Sequence, residues 1–504
     1  MTSKIIKNVF SSWTYYFIQL AIGFFLMPFM VHRLGAEVYG LWILVFSFAA
    51  YVSFFDFGIR GSVVKYVAEF EAKKDFGSLN KVINTSWLIH SSIGLLIILA
   101  FFMLSNFLQY FFEINPMFLN DFRVCFRLIG LSIGLTLFFN IFVGILEGYK
   151  RNDVVSIIES ATFILQSALI TVIVIKGYGI VSLAIIIILV NLLKQIIRAI
   201  CCFNISPHLR LNFFLFNRNT LKTIFSYSIF LFTFQGMLTI LNSLPNIILG
   251  AFLGTASITF YSIAERLIGY FRTFLFTTSG TLVPFISSFD ALNDTKRVKK
   301  SFLMGSKYSY SIVLFLVLIL IVMGRPFINL WMGEAFTNKS YNVLVIIVIP
   351  LLFSPAFFTI QALLKGLGRL KEITICTAIQ LLLSVILSII LVKKLGLNGV
   401  ALAFAIPYFL NYVIVLPALM LHILGISGRD YFKAVYLKPM IPALILLLCL
   451  IFLRNNYYPS SYIVLILEIL FSGLIYSIVS FKVILEDHER NFYLSKLNLC
   501  FRNT

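Results

Sequence analysis

Charge is what this 504-residue chain has least of: Asp, Glu, Lys and Arg together make up 12% of it, against about 25% in a soluble globular domain. Acidic residues are the scarcer sign, 20 against 40 basic ones. The six cysteines (Cys125, Cys201, Cys202, Cys376, Cys449 and Cys500) form no CxxC pair. They read as small apolar residues, which removes a disulfide framework and a thiolate metal site. The five histidines (His32, His90, His208, His422 and His488) show no ligand spacing, so no metal is expected. GxxxxGKS/T, HExxH, DxD and GxSxG are all missing. The first of these absences leaves no bound ATPase in the same chain, and the others give no hold for a zinc hydrolase or serine hydrolase. Long polar segments are missing too, the longest expected loops being near 201–222 and 324–340. A polymerase or ligase acting on polymeric sugar would present a larger surface outside the membrane. The sequence therefore implies no enzyme and no cofactor.

Apolar residues fill the chain instead: 60% are hydrophobic and the mean hydropathy is +0.98. Fourteen spans of about 21 residues would use nearly all of them. Runs of this length rich in Leu, Ile and Phe are helices, because a membrane barrel would show ten-residue alternation. The expected spans lie near 8–32, 41–60, 82–106, 122–144, 154–175, 178–200, 223–251, 257–285, 303–323, 341–364, 372–392, 396–421, 433–453 and 461–482. The first is too long for a signal-peptide core and lacks a small-residue cleavage site, so it is expected to be retained. With the N-terminus in the cytoplasm, 29 Lys and Arg fall inside, 7 fall outside, and Arg123, Arg127, Arg266 and Arg272 fall within spans. That asymmetry predicts cytoplasmic termini at both ends, and it accounts for the basic balance without nucleic acid.

One offset recurs along the chain. Leu34-Gly35 matches Leu253-Gly254, the turn Leu146 to Arg151 matches Leu364 to Arg369, and Val181 to Ala184 matches Val400 to Ala403. The shift is 218 or 219 residues each time. A six-helix unit is thus duplicated in tandem, and because six is even the two copies are parallel repeats about an axis along the membrane normal. The expected fold is an all-α integral membrane protein of about 14 transmembrane helices: two six-helix repeats around a central cavity, plus two C-terminal helices. The expected divisions are an N-terminal six-helix lobe at 1–222, a C-terminal six-helix lobe at 223–430, and two extra helices with a cytoplasmic tail at 431–504. Parallel repeats around a cavity are an alternating-access arrangement, which favours a transporter.

Prolines interrupt several spans. Pro28 and Pro245 occupy nearly equivalent places in the two halves and are the hinge candidates. A proline frees a carbonyl and kinks the helix, tolerable in a membrane only where neighbours or cavity water satisfy that group. Ionisable groups at membrane depth cost about 2.5–3.5 kcal/mol each, so they face a cavity or a partner. Glu265, Arg266 and Arg272 fall in the eighth span, Glu265 and Arg272 sharing one face. Arg123 and Arg127 are i, i+4 near the outer end of the fourth span. Asp56 and Arg60 are i, i+4 at the inner end of the second and could pair with each other. For Arg266 and Arg272 the depth favours a cavity; for Arg123 and Arg127 it balances against snorkelling to the interface. Arginine presents a planar fork suited to phosphate oxygens, so a cationic cavity implies an anionic cargo.

These residues also carry a resemblance. Arg33-Leu-Gly-Ala-Glu-Val-Tyr39-Gly-Leu-Trp42, Phe55-Asp56-Phe57-Gly58-Ile59, the Gly148 and Gly366 turns, and Phe260-Tyr261-Ser-Ile-Ala-Glu-Arg266-Leu resemble bacterial polysaccharide flippases of the O-antigen (Wzx) type. Those belong to the multidrug/oligosaccharidyl-lipid/polysaccharide transporter superfamily. The resemblance covers the whole chain and implies movement of an undecaprenyl-diphosphate-linked oligosaccharide (an O-antigen, capsule or exopolysaccharide repeat unit) from the cytoplasmic to the periplasmic leaflet of the inner membrane. It implies membrane lipids, a polysaccharide polymerase and chain-length machinery as partners, and leaves open an H+ gradient, a Na+ gradient or the membrane potential as the drive. A lipid II-type flippase is the near alternative. A multidrug or cation antiporter of the same superfamily would need acidic residues in its cavity, where Glu159 and Glu265 are the few candidates.

Overall fold

The computed structural model describes residues 2–51, 59–212, 218–280, 282–355, 357–457, 459–487 and 489–491, and among them there is no strand. Apolar segments without water satisfy their backbone internally, which leaves the helix as the open-chain solution. In chain order come α1 (Thr2–Tyr51), α2 (Ile59–Lys73), α3 (Phe76–Leu104), α4 (Leu108–Phe111), α5 (Pro116–Gly148), α6 (Asn152–Ile175), α7 (Ile180–Ile205) and α8 (Arg218–Phe252). They are followed by α9 (Thr255–Gly280), α10 (Leu282–Ala291), α11 (Thr295–Met332), α12 (Glu334–Val348), α13 (Phe357–Gly366) and α14 (Leu370–Phe409). The chain ends with α15 (Leu416–Leu424), α16 (Gly428–Phe432), α17 (Lys438–Asn456) and α18 (Tyr462–Val483). Ten helical segments among the described residues are long and apolar enough to cross a membrane. One of these, Leu370–Leu424, contains two of the expected spans, and Trp13–Ala50 overlaps two more.

Two expectations are corrected. The stretch 324–340 is helical rather than a loop: α11 continues to Met332, and only Gly333, at φ 88°, turns the chain before α12. The expected span 341–364 is broken, because α12 gives way to a 3-10 turn at Ile349–Phe353 and the helix resumes as α13. Pro350 opens that turn, where a missing N–H and a fixed φ stop the helical ladder.

The chain forms two compact units, Met1–Thr259 and Phe260–Thr504, dividing one span later than the repeat boundary. In the first, α3 lies along α5, α5 along α7, and α1 against α6 and α8. Gly94 and Gly134 make the α3–α5 crossing close: a Cβ on either would sit 2.6 Å from the other's carbonyl oxygen. Small residues at such crossings let membrane helices gain packing contact. Asn80 and Asn84 of α3 pin the segment after α7. Asn80 Nδ2 donates to the His208 carbonyl at 3.0 Å and Asn84 Nδ2 to that of Arg210 at 2.7 Å. In return the Arg210 and Asn212 amides donate to the Asn80 and Asn84 oxygens at 2.8 and 2.7 Å. In the second unit α11 packs on α12 and α17, α17 on α18, and α10 on α13.

Inside each unit the tandem repeat is visible in local geometry. Positive φ occurs at Gly35 (80°) and Gly254 (74°), at Lys74 (55°) and Asn293 (54°), at Lys150 (57°) and Gly368 (69°), and at Gly177 (77°) and Gly396 (56°). Each pair is separated by the 218–219 offset already seen in sequence. Asp75 caps α3 by accepting from the Ser78 amide, and Asp294 caps α11 by accepting from that of Arg297. The hydrogen bonds from Ser78 hold the Asp75 carboxyl below its ordinary range. Gly148 and Gly366 meet equivalent neighbours. A Cβ on Gly148 would lie 2.7 Å from Val67 Cβ and 3.2 Å from the Val64 carbonyl; on Gly366, 2.8 Å from Ile286 Cβ and 3.2 Å from the Val283 carbonyl. Gly148→Leu and Gly366→Leu should each destabilise the protein by about 1–3 kcal/mol through overpacking. Thermal unfolding of the purified protein tests this, and an unchanged melting temperature in either variant would show that its crossing can open freely.

Pro28 and Pro245 lie inside α1 and α8, which run through them as helices. The backbone of α1 leaves helical geometry at Gly35 instead. Next to Pro245, Asn246 Nδ2 donates to Ser47 Oγ at 3.0 Å, tying α8 to α1.

Candidate functional site

In the second unit, α9 carries the charged triplet. Its seven-residue spacing brings Glu265 and Arg272 together, Arg272 Nη1 donating to Glu265 Oε1 at 3.4 Å. Arg272 Nε is buried and has no partner among the described residues. The same guanidinium acts electrostatically on Tyr408 and Tyr412, at the end of α14 and just beyond it, and on Tyr261 one turn before Glu265. The Tyr408 and Tyr412 rings meet at a tilt with centroids 4.7 Å apart, and Phe357 lies edge-on to Tyr412 at 4.3 Å. Arg272 also lines a narrow apolar cleft with Ile268, Val317 and Phe358. Arg266, one residue from Glu265, points elsewhere: its side chain is exposed and its guanidinium sits 6.0 Å from the Tyr270 ring. This one helix face thus offers a fork of N–H donors, a carboxylate and a wall of phenols. Its repeat counterparts, Phe46 and Ser53, bear no charge.

The first unit holds a charged cluster that the base count missed. Lys194 and Arg198, counted in sequence only as flanking bases, sit on one face of α7 against Glu159 of α6. Lys194 Nζ lies 3.4 Å from Glu159 Oε2, and Arg198 Nη2 pairs with Glu159 Oε1. The Arg198 side chain is 4% exposed and that of Glu159 25%. Arg198 Nη1 donates to Gln195 Oε1 at 3.3 Å. Arg198 Nε and Gln195 Nε2 are buried without partners among the described residues. Tyr15 of α1 feels the charges of both Glu159 and Arg198, and it accepts from Gln19 Nε2 at 3.0 Å. The i, i+4 spacing of the two bases, one helical turn from a carboxylate's reach, was the available signal. In the second unit the spans equivalent to α6 and α7 meet through neutral groups, Asn411 Nδ2 donating to Gln380 Oε1 at 2.7 Å. Glu468 of α18 was also missed. It is buried, and neither carboxylate oxygen has a partner among the described residues.

The remaining candidates fall elsewhere. Arg60 pairs with Glu147 at the end of α5, Nε donating to Oε2 at 3.0 Å. Asp56, the partner expected from spacing, lies outside the described residues. Arg123 Nη2 donates to Gln109 Oε1 at 2.5 Å. Arg127 donates from Nε to Ser105 Oγ and from Nη2 to Asn106 Oδ1, each at 2.7 Å. These two arginines therefore clamp the segment joining α3 to α5 at one end of the first unit. The motif around Trp42 is structural in part. Tyr39 and Trp42 are buried, and Gly40 lets the α1 backbone lie against the Thr255 carbonyl.

Fold and duplication together define a class: a multi-pass, all-α membrane protein with the architecture of the MOP-superfamily transporters. Residues 5–290, more than half of the chain, match the family model described as "Polysaccharide biosynthesis protein", and the chain belongs to that family. A Shigella flexneri protein named "Putative O-antigen transporter" is 23% identical over 429 residues, covering 81% of this chain and 96% of that protein. Among solved structures, the lipid II flippase MurJ in an inward closed conformation superposes with a TM-score of 0.69 at 18% identity, covering 95% of this chain and 98% of MurJ. An inward-facing MATE multidrug transporter gives 0.69 at 16% identity, covering 82% of this chain and 95% of its own. At these identities the two structures establish the fold.

Proposed function

We propose that this protein is a flippase for a polysaccharide repeat unit carried on a polyprenyl diphosphate, moving it from the cytoplasmic to the periplasmic leaflet of a bacterial inner membrane. Besides family membership, one observation carries the reading. The first unit places one acid with two bases on its membrane helices, Glu159 with Lys194 and Arg198, and the second sets the Arg272 fork beside Glu265 with Nε left without a partner among the described residues. The surplus in the first is cationic, and it suits a diphosphate or acidic sugar rather than the cationic compounds an antiporter of this fold would carry. The sugars cross past these groups by alternating access while the lipid chain stays in the bilayer. Both termini are cytoplasmic in this reading, following the distribution of bases, which remains strongly one-sided without Lys194 and Arg198. A polymerase that extends the delivered repeat units is the natural partner.

A deletion strain tests the proposal. It should lose surface polysaccharide and accumulate the lipid-linked precursor on the cytoplasmic leaflet, with the plasmid-borne gene restoring both. A membrane-impermeant thiol reagent should label a cysteine placed at Met117, in a background lacking the native cysteines, but not one placed at Glu71. Unchanged polysaccharide alongside lost resistance to cationic compounds would replace this reading with an antiporter.

A further inference from the structure

The end of the first unit at which α3 ends and α5 begins holds an open apolar cavity of about 280 Å³. Phe48 of α1, Leu108 and Phe111 of α4, Phe126 of α5, and Ile247 and Ala251 of α8 line it. Its accessible surface is almost wholly apolar, so it offers nothing to a sugar and everything to a hydrocarbon chain. The α4 segment that walls it has a second, polar side, where Ser105, Asn106 and Gln109 hold the guanidinium groups of Arg127 and Arg123. Arg123 Nε is buried and has no partner among the described residues. Arg123 and Arg127 lie 60° and 100° round α5 from Phe126 on an ideal helical wheel, so cavity and cations are neighbouring faces of one helix. Asp121 falls on the opposite side of that wheel. Glu113, the other acid here, is exposed on the loop, and its amide donates to the Gly250 carbonyl at 3.1 Å.

We infer that this cavity binds the phosphate-proximal segment of the chain of an anionic polyprenyl lipid, the rest of which stays in the bilayer, with Arg123 and Arg127 holding its phosphate. The inference rests on the proposed lipid-linked cargo, and in the proposed orientation it places the site at the periplasmic leaflet, where the carrier arrives once flipped. The aromatic walls suit a methyl-branched, unsaturated hydrocarbon. The site therefore selects the carrier by chain and charge together, independently of the sugar it bears.

Photolabelling of the full-length protein in nanodiscs with decaprenyl monophosphate carrying a terminal diazirine tests the inference. Mass spectrometry should locate the adducts in residues 104–112 and 247–251. Ala251→Phe, or Ile247→Phe where the first fails to fold, should cut labelling about tenfold by filling the cavity. Arg123→Gln with Arg127→Gln should cut it about tenfold by removing charge-assisted hydrogen bonds, yet leave labelling by the uncharged decaprenol probe unchanged. Adducts confined to other segments would overturn the site while leaving the cargo reading standing. Failure of the phosphate probe to label the protein anywhere would overturn both. Equal competition by phosphatidylglycerol at the same mole fraction would make the cavity an ordinary annular lipid position.

Discussion

Arg198→Ala should be among the most damaging single substitutions in the first unit, lowering both the melting temperature of the purified protein and its abundance in the membrane. Its guanidinium is nearly inaccessible and pairs with Glu159 across the α6–α7 contact. Removing one partner of a buried pair leaves the other charge uncompensated, at a cost of about 3–5 kcal/mol. Lys194, 3.4 Å from the other carboxylate oxygen, recovers only part of this. The triple variant Glu159→Gln, Lys194→Gln, Arg198→Gln should melt well above Arg198→Ala, because amides can hydrogen-bond across the same gap without a buried charge. If Arg198→Ala melts with the wild type, the cluster is open to water or ligand, and its pairing does not hold α6 to α7.

That cluster also shows where sequence reasoning stops. Lys194 and Arg198 close an apolar run, and a count of bases by side places them in the cytoplasm. Only the packing of α7 on α6 reveals that Glu159 meets them inside. The tandem repeat, by contrast, was legible: Gly35 and Gly254 are glycines at fixed offset and each adopts the positive φ that glycine accepts most readily, and the structure adds Gly177 and Gly396 at the same offset. The turn at Lys150 and Gly368 was legible from its neighbours, Leu146 to Arg151 matching Leu364 to Arg369, whereas Lys74 and Asn293 share that geometry with no sign of it in their side chains. The break in the tenth span was visible in Pro350. The continuity of α11 through Pro326 to Gly333 was not, because burial of Ile328, Trp331 and Met332 outweighs the local signal of a polar stretch.

Charge depth succeeded partly for the same reasons. On α9 the seven-residue spacing paired Glu265 with Arg272, a property of the helix alone. At Arg60 the spacing pointed to Asp56, whereas the described ion pair reaches Glu147, 87 residues away. Local periodicity can nominate which face a charge occupies; the partner comes from whichever helix the fold lays against it. Glu468 obeyed the depth rule as plainly as Glu265, and it would have been found had the rule been applied to the last span.

Arg272 carries the largest functional effect expected. If its guanidinium holds the anionic part of the cargo, Arg272→Ala removes charge-assisted hydrogen bonds worth about 1.5–3 kcal/mol, a loss of roughly ten- to a hundredfold in the affinity that drives transport. Surface polysaccharide in the deletion strain should then fall to near the vector control at normal protein abundance. Arg272→Lys keeps the charge but not the planar fork, and it should retain intermediate activity. A purely structural arginine would give the same first result, so Glu265 decides between the two roles. Were Arg272 present only to neutralise Glu265 at 3.4 Å, the double variant Glu265→Gln, Arg272→Gln would remove need and remedy together and restore polysaccharide. Were Arg272 a cargo ligand, the double variant would remain as inactive as Arg272→Ala, because neutralising Glu265 returns no donor to the phosphate. Full activity of Arg272→Ala would remove this arginine from the transport path and leave the cation surplus of the first unit to carry the anionic-cargo reading alone.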